Sequence, residues 1–236
     1  MKKKNIVLAV AAAAAGAYVI SKNDAAKLKI TNALYRGHSM IMDVGIKAFP
    51  GMFPTPETKL GCGSRKEIPG LLKKYGINKV LIVTGPTVGR TIVPPIKDDI
   101  EKSGIPCEVF DRTEANPSVT TVLAIKKQYL ETGCSGFLAI GGGSPMDAAK
   151  IAAATVARPN MPIVKMAGMM RILAPVPPVI CVPTTAGTGS EVTIGAVISD
   201  HDAHHKYAIT DPCITPKAAV VDAELTVGMP PFITAT

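Results

Sequence analysis

From about residue 79 onward the chain alternates short, uninterrupted apolar runs with longer stretches of helical character, and this alternation constrains the fold more than any other feature. Lys79-Val-Leu-Ile-Val-Thr84, Cys107-Glu-Val-Phe110, Gly136-Phe-Leu-Ala-Ile140 and Val179-Ile-Cys-Val182 are too short for helices and read as strands. Strands that are apolar on both faces belong to a parallel sheet covered on both sides. Between them, Gly89 to Ser103 is helical, with Pro94 and Pro95 bending or restarting it. Ser118 to Thr132 places Val122, Leu123, Ile125, Tyr129 and Leu130 at helical spacing, and Pro145 to Ala157 is an Ala-rich helix. Earlier, Ser64-Arg-Lys-Glu67 reads as a capping box opening a helix that ends near Gly76. Later, Glu191–Ser199, His205–Thr210 and Ala218–Asp222 read as strands, the first two as a hairpin. The pattern predicts an α/β fold, a Rossmann-like parallel sheet with helices on both faces, whose ligands bind at the carboxyl ends of the strands.

Two loops sit at such ends. Gly141-Gly-Gly-Ser144-Pro145-Met-Asp147 follows a strand and opens a helix. Its glycines let the backbone turn tightly and approach a ligand closely. Ser144 suits the N-cap and Pro145 the first helical position. The free N–H groups and helix dipole then form an anion site. The glycines are consecutive, unlike the common dinucleotide fingerprint, and no Gly-Lys-Ser/Thr follows as in a P-loop. A tight strand–helix turn without a ligand would look the same locally. The second loop, Pro183-Thr-Thr-Ala-Gly-Thr-Gly-Ser190-Glu191, offers several small hydroxyls able to line a diphosphate or sugar, or simply a polar turn. Two such loops after two separate strands favour a shared crevice.

Composition narrows the alternatives. Aromatic residues are 4% of the chain and Trp is absent, so there is no stacking platform for single-stranded nucleic acid, and no nucleic-acid partner is expected. The net charge of +8 is concentrated early, in Lys2, Lys3, Lys4, Lys22, Lys27, Lys29 and Arg36 against Asp24. The five cysteines are odd in number and widely spaced, which suggests no disulfide framework and a reducing compartment. Lys2–Lys4 precede an uncharged apolar run over 5–21 that resembles a signal anchor at the short limit for spanning; an Ala-rich helix packed on the domain is the alternative. The chain is therefore divided into an apolar segment at 1–22 available for membrane association, a helical extension and Pro/Gly linker at 23–53, and a nucleotide-binding α/β domain at 54–236. Basic residues flank both sides of the apolar run, so the catalytic domain is expected in the cytoplasm, anchored or free.

At its two glycine loops the sequence resembles the iron-containing alcohol dehydrogenase family. Gly141-Gly-Gly-Ser-Pro-Met-Asp-Ala-Ala-Lys150 and Pro183-Thr-Thr-Ala-Gly-Thr-Gly-Ser-Glu-Val-Thr193 carry the resemblance. Leu81-Ile-Val-Thr84, Asn116-Pro117-Ser118, Asp211-Pro-Cys-Ile-Thr-Pro216, Val221-Asp-Ala-Glu-Leu-Thr226 and Met229-Pro-Pro231 support it in order and spacing from about residue 54 onward. It implies an N-terminal α/β domain of the dehydroquinate synthase-like type that binds NAD or NADP, and an all-helical domain that holds a divalent metal, Fe2+ or Zn2+. By position, Gly142, Gly143 and Ser144 would meet the diphosphate with Asp147 close by. Asn116, Thr184, Thr185, Thr188, Val197, Lys206 and Leu225 would line the adenosine and nicotinamide parts. Where the family commonly carries an Asp that accepts from the ribose hydroxyls, this chain has Gly85. Removing that charge removes its repulsion of a 2′-phosphate, so NADP is expected to be accepted; Gly85 as a plain turn residue, with NAD as cofactor, is the alternative.

The family's metal ligands, one Asp and three His, are expected just after Thr236, so no catalytic residue and no metal ligand is assigned within these 236 residues. Asp200-His-Asp-Ala-His-His205 is read as an exposed turn joining two strands rather than a ligand cluster. The resemblance implies an oxidoreductase transferring hydride between NAD(P) and a small alcohol or aldehyde, in a homo-oligomer, with this chain alone inactive. A related metal-dependent polyol dehydrogenase and a non-catalytic nucleotide-binding fragment are the competing readings.

Overall fold

The computed structural model describes residues 54–200 and 205–229. The segments expected at 1–22 and 23–53 lie outside the described residues. Among those described, no helix is long and apolar enough to cross a membrane.

In chain order the elements are β1 (Glu57–Leu60), α1 (Ile68–Lys74), β2 (Val80–Val83), α2 (Pro86–Thr91), α3 (Val93–Lys102), β3 (Cys107–Phe110), α4 (Val119–Thr132) and β4 (Gly136–Gly141). There follow α5 (Gly143–Ala157), α6 (Ile163–Met166), β5 (Gly168–Met169), β6 (Val179–Pro183), β7 (Gly195–Asp200), β8 (His205–Thr210) and β9 (Ala218–Val221). Six strands form one parallel sheet in the order β1-β9-β6-β4-β2-β3. The expected hairpin is present: β7 pairs antiparallel with β8, and β5 adds to the far side of β8. The fold is the doubly covered α/β sheet that strand–helix alternation implies.

The two-faced burial is visible residue by residue, because successive side chains of a strand point to opposite faces. Leu81, Val83, Phe137, Ala139, Val179 and Cys181 enter one core with the inner faces of α4 and α5. Their neighbours Val80, Ile82, Leu138, Ile140, Ile180 and Val182 enter the other with α1 and α3. Each face thus has its own apolar layer, and neither can be exposed without losing about 25 cal/mol for every Å² of apolar area.

Several local expectations are corrected. Ser64–Glu67 is a 3₁₀ turn, not a capping box: among the described residues no side chain caps it, and Ser64 Oγ is buried without a partner. The missing acceptor comes from far along the chain. Asp222 Oδ1 accepts from the Gly63 N–H at 3.0 Å and Oδ2 from the Arg65 N–H at 3.1 Å. The restart expected at Pro94 and Pro95 is present, since α3 begins at Val93 and Pro94 falls in its first turn, where its lack of an N–H is harmless; the helix before it begins at Pro86 rather than Gly89. In α4, Ser118 caps as its position suggests, accepting from the Thr121 N–H. Leu123 and Leu130 nevertheless lie on its exposed face, and only Val122, Ile125 and Tyr129 are buried. Helix α5 begins at Gly143 with Gly142 as N-cap, so Ser144 is inside the first turn and does not cap it. Strand β7 begins at Gly195 rather than Glu191, since Lys150 draws the intervening backbone into a turn.

Candidate functional site

The sheet reverses its order of filling between β2 and β4. From β2 the chain steps outward to β3, then returns to place β4 on the other side of β2. The register Val83↔Phe110 brings the carboxyl ends of β2 and β3 level, while Val83↔Ala139 leaves β4 two residues longer, ending at Gly141 opposite Pro183 of β6. A crevice opens at such a switch point, and the loops that follow the strands line it. Gly85 follows β2, Gly141 ends β4 with Gly142 and Gly143 after it, and Thr184–Thr188 follows β6.

The Gly141–Gly143 turn is built for close approach. Gly141 has φ +146, a conformation that L side chains rarely adopt, and an added Cβ there would meet the Pro145 ring at 2.6 Å. A Cβ on Gly142 would lie 3.2 Å from Thr185 Oγ1, and one on Gly143 would lie 2.7 Å from Thr188 Oγ1. The two loops therefore touch, and the expected residues Gly142, Gly143, Thr185 and Thr188 share one crevice. The Thr184 N–H donates to Gly141 O at 2.9 Å, which fixes the second loop to the end of β4. Helix α5 is 15 residues long, and its first-turn N–H groups, lacking intrahelical acceptors, face this crevice.

Other expected residues gather beside the turn. Asn116, itself at φ 56, receives the Lys206 ammonium on Oδ1 at 3.0 Å, and its N–H donates to Ser144 Oγ at 3.3 Å. Three segments distant in sequence thus converge at the mouth of α5. The β7–β8 hairpin is held there by its backbone: the Ser199 N–H donates to Pro117 O at 2.9 Å. Val197 leaves 43% of its surface exposed.

Thr184, Thr185 and Leu225 line a cavity of about 760 Å³, together with Thr87, Val88, Ile92 and Met229. Arg65 and Glu224 pair at 3.1 Å on the same wall. Leu225 is also part of the core beneath α1 and α3, so its packing role and its place in the cavity wall coexist. Gly85 caps α2, and an added Cβ would approach Thr113 O at 3.2 Å.

Asp147, expected close to the diphosphate, stands near the start of α5 with both carboxylate oxygens engaged by the chain. Its Oδ1 accepts from Ser190 Oγ at 2.5 Å and its Oδ2 from the Val197 N–H at 2.8 Å. It therefore ties α5 to the threonine loop and the hairpin. Lys150 was not singled out from the sequence, yet it is fully buried at the centre of the same junction. A lysine within an Ala-rich helix face was the available signal. Burial lowers its pKa from the ordinary lysine value, against the opposing pull of Cys181, Asp147 and Glu191. Burial also pushes the Cys181 thiol up to about 12, which leaves it an inert apolar group at neutral pH.

Among the described residues no group of three or more His, Cys, Asp or Glu side chains could hold a metal ion. Of the Asp200–His205 turn, residues 201–204 lie outside the described residues. The described Asp200 accepts from Tyr207 Oη at 3.0 Å.

Comparison with known proteins agrees with this geometry. The family model for iron-containing alcohol dehydrogenases matches residues 55–223. A choline dehydrogenase of Bacillus subtilis is 34% identical over 180 residues, covering 75% of this chain and 45% of that protein. The structure of an alcohol dehydrogenase from Oenococcus oeni superposes with a TM-score of 0.74 at 30% identity, covering 78% of this chain and 49% of the other. A sulfoacetaldehyde reductase from Bifidobacterium kashiwanohense, solved in complex with NAD+, is 32% identical with a TM-score of 0.68 over 78% of this chain and 49% of its own. The chain spans about half the length of the relatives it matches. On the parallel sheet, the two apposed loops and the family model matched across them, the chain belongs to the iron-containing alcohol dehydrogenase family.

Proposed function

We propose that residues 54–236 are the dinucleotide-binding part of an NAD(P)-dependent alcohol dehydrogenase or aldehyde reductase. The observation that carries this reading is the glycine turn at the mouth of α5, pressed against the Thr185 and Thr188 hydroxyls at the switch point of the sheet. Only residues without a Cβ leave room there for a diphosphate to reach the backbone N–H groups. Gly142, Gly143 and Ser144 would hold that diphosphate, while Thr184, Thr185, Thr188, Asn116, Lys206, Val197 and Leu225 would orient its two nucleoside arms. Bound there, the nicotinamide carries the hydride, and the chain supplies position and charge.

The Fe2+ or Zn2+ of this reading would be held outside the described residues, among which no group of His, Cys, Asp or Glu side chains could hold a metal ion, and no step is assigned to it here. The chain alone should bind a dinucleotide weakly and should not turn over. Gly85 favours acceptance of NADPH, since the residue at the N-cap of α2 brings no carboxylate of its own to repel a 2′-phosphate.

The reading is tested by titrating the chain into NADPH and into NADH while following nicotinamide fluorescence. Saturable binding, displaced by excess NADP+, is expected. Absence of binding for both would end the dinucleotide reading. The catalytic half of the proposal needs a longer form of the protein loaded with Fe2+ or Zn2+. Failure of short and medium aldehydes to oxidise NADPH in its presence would refute it.

A further inference from the structure

Beneath the glycine turn lies a charge arrangement that dinucleotide binding by backbone N–H groups does not by itself explain. The Lys150 side chain is fully buried, and its ammonium donates to Ser190 O at 2.9 Å and Ser190 Oγ at 3.1 Å. It also donates to Thr193 O at 3.2 Å and approaches Thr193 Oγ1 at 3.4 Å. Two carboxylates face it. Asp147 Oδ1 is 3.9 Å away, one turn closer to the mouth of α5. Glu191 follows Ser190 directly, and its Oε2 is buried without a hydrogen-bond partner among the described residues.

Four oxygens around one nitrogen make an ammonium site, and burying that charge is tolerable only because the carboxylates compensate it. The compensation runs both ways. Without the ammonium, the Asp147 carboxylate would stand uncompensated near the start of α5, the helix whose mouth faces the proposed anion. We infer that Lys150 is the buried counter-charge of the cofactor turn, a positioning residue that ties the Ser190–Thr193 segment to α5 and cancels the field of Asp147 where the diphosphate would sit. This rests on the dinucleotide reading of the turn.

A purely mechanical pin would depend on the hydrogen bonds alone, whereas a counter-charge makes the balance of charge decisive. Lys150→Met keeps the aliphatic stem and removes the charge. Lys150→Met/Asp147→Asn removes one charge of each sign. Coulomb's law for two unit charges about 8 Å apart gives a roughly twofold to thirtyfold change in affinity as the effective dielectric constant falls from about 80 to about 20.

The experiment titrates NADPH and ADP against the full chain carrying each change, with far-UV circular dichroism reporting the fold. The expected result is about tenfold weaker binding of both ligands to Lys150→Met, and recovery to within about threefold of wild type in the double variant. Equal binding by wild type and Lys150→Met, or a double variant as weak as the single one, overturns the inference. If Lys150→Met does not fold, Asp147→Asn alone decides. With Lys150 retained, loss of the carboxylate should tighten ADP and NADPH binding by about threefold or more, and unchanged or weaker binding overturns the inference. If wild type binds neither ligand, the dinucleotide reading itself falls and this inference falls with it.

Discussion

Gly143→Ala should separate binding from folding, and Gly141→Ala should do the reverse. At Gly143 the added Cβ would lie 2.7 Å from Thr188 Oγ1, too close for van der Waals contact. That oxygen ends a short side chain with one rotatable bond, so moving it costs about 1 kcal/mol. Residue 143 is the first of α5 and has no positive φ, so Ala regains up to about 1 kcal/mol of helix propensity. The fold should therefore stay within about 1 kcal/mol of wild type. The same methyl narrows the crevice at the point of phosphate approach, and binding should weaken at least tenfold, about 1.4 kcal/mol. At Gly141 the clash is with the Pro145 ring at 2.6 Å and the backbone sits at φ +146, so nothing relaxes cheaply. Strain of that kind costs about 2–4 kcal/mol. Urea unfolding and NADPH titration on the two variants give the comparison. The reasoning is refuted if Gly143→Ala binds NADPH as wild type does, or if it is the less stable of the two.

Gly85→Asp should move preference from NADPH toward NADH by about tenfold or more in the ratio of dissociation constants; an unchanged ratio would leave Gly85 as a turn residue only. Asp222→Asn should cost about 2–3 kcal/mol in urea unfolding at pH 6, because the carboxylate accepts from the Gly63, Arg65 and Glu224 N–H groups. Burial works to raise the Asp222 pKa, but those three N–H donors and the Arg65 charge hold it below the ordinary aspartate value. Its contribution is therefore complete above about pH 4 and disappears as pH falls through the lower folded value, so the gap between variant and wild type should close in that window. With a thiol reagent at neutral pH, exposed Cys62 should react within seconds while buried Cys181 waits for unfolding; equal rates would contradict the packed core.

Much of the sheet was legible because burial on both faces leaves an unmistakable mark: Val80–Val83 and Gly136–Ile140 have no polar side chain to confuse the period. Strand β1 left no such mark. Glu57-Thr-Lys-Leu60 is an edge strand, with partly exposed Glu57 and Lys59 between exposed neighbours, so its identity depends on β9 some 160 residues away. The capping-box error has the same origin, since Ser64 and Glu67 have the right spacing but Asp222 supplies the acceptor through tertiary contact. At the site, glycines and threonines declared themselves through loop chemistry. The partners of Asp147, and the whole role of Lys150, did not, because Ser190, Thr193 and Val197 become their neighbours only after α5 docks on the threonine loop and the hairpin.

The pairing of β1 with β9 has a consequence for synthesis of the protein. The first and last strands of the sheet are neighbours, in register from Glu57↔Ala218 to Leu60↔Val221. A ribosome must therefore deliver almost the entire domain before its opening strand finds a mate. Until then, that strand and the bare flank of β6 are open to other nascent chains, and a pause before residue 218 prolongs the exposure.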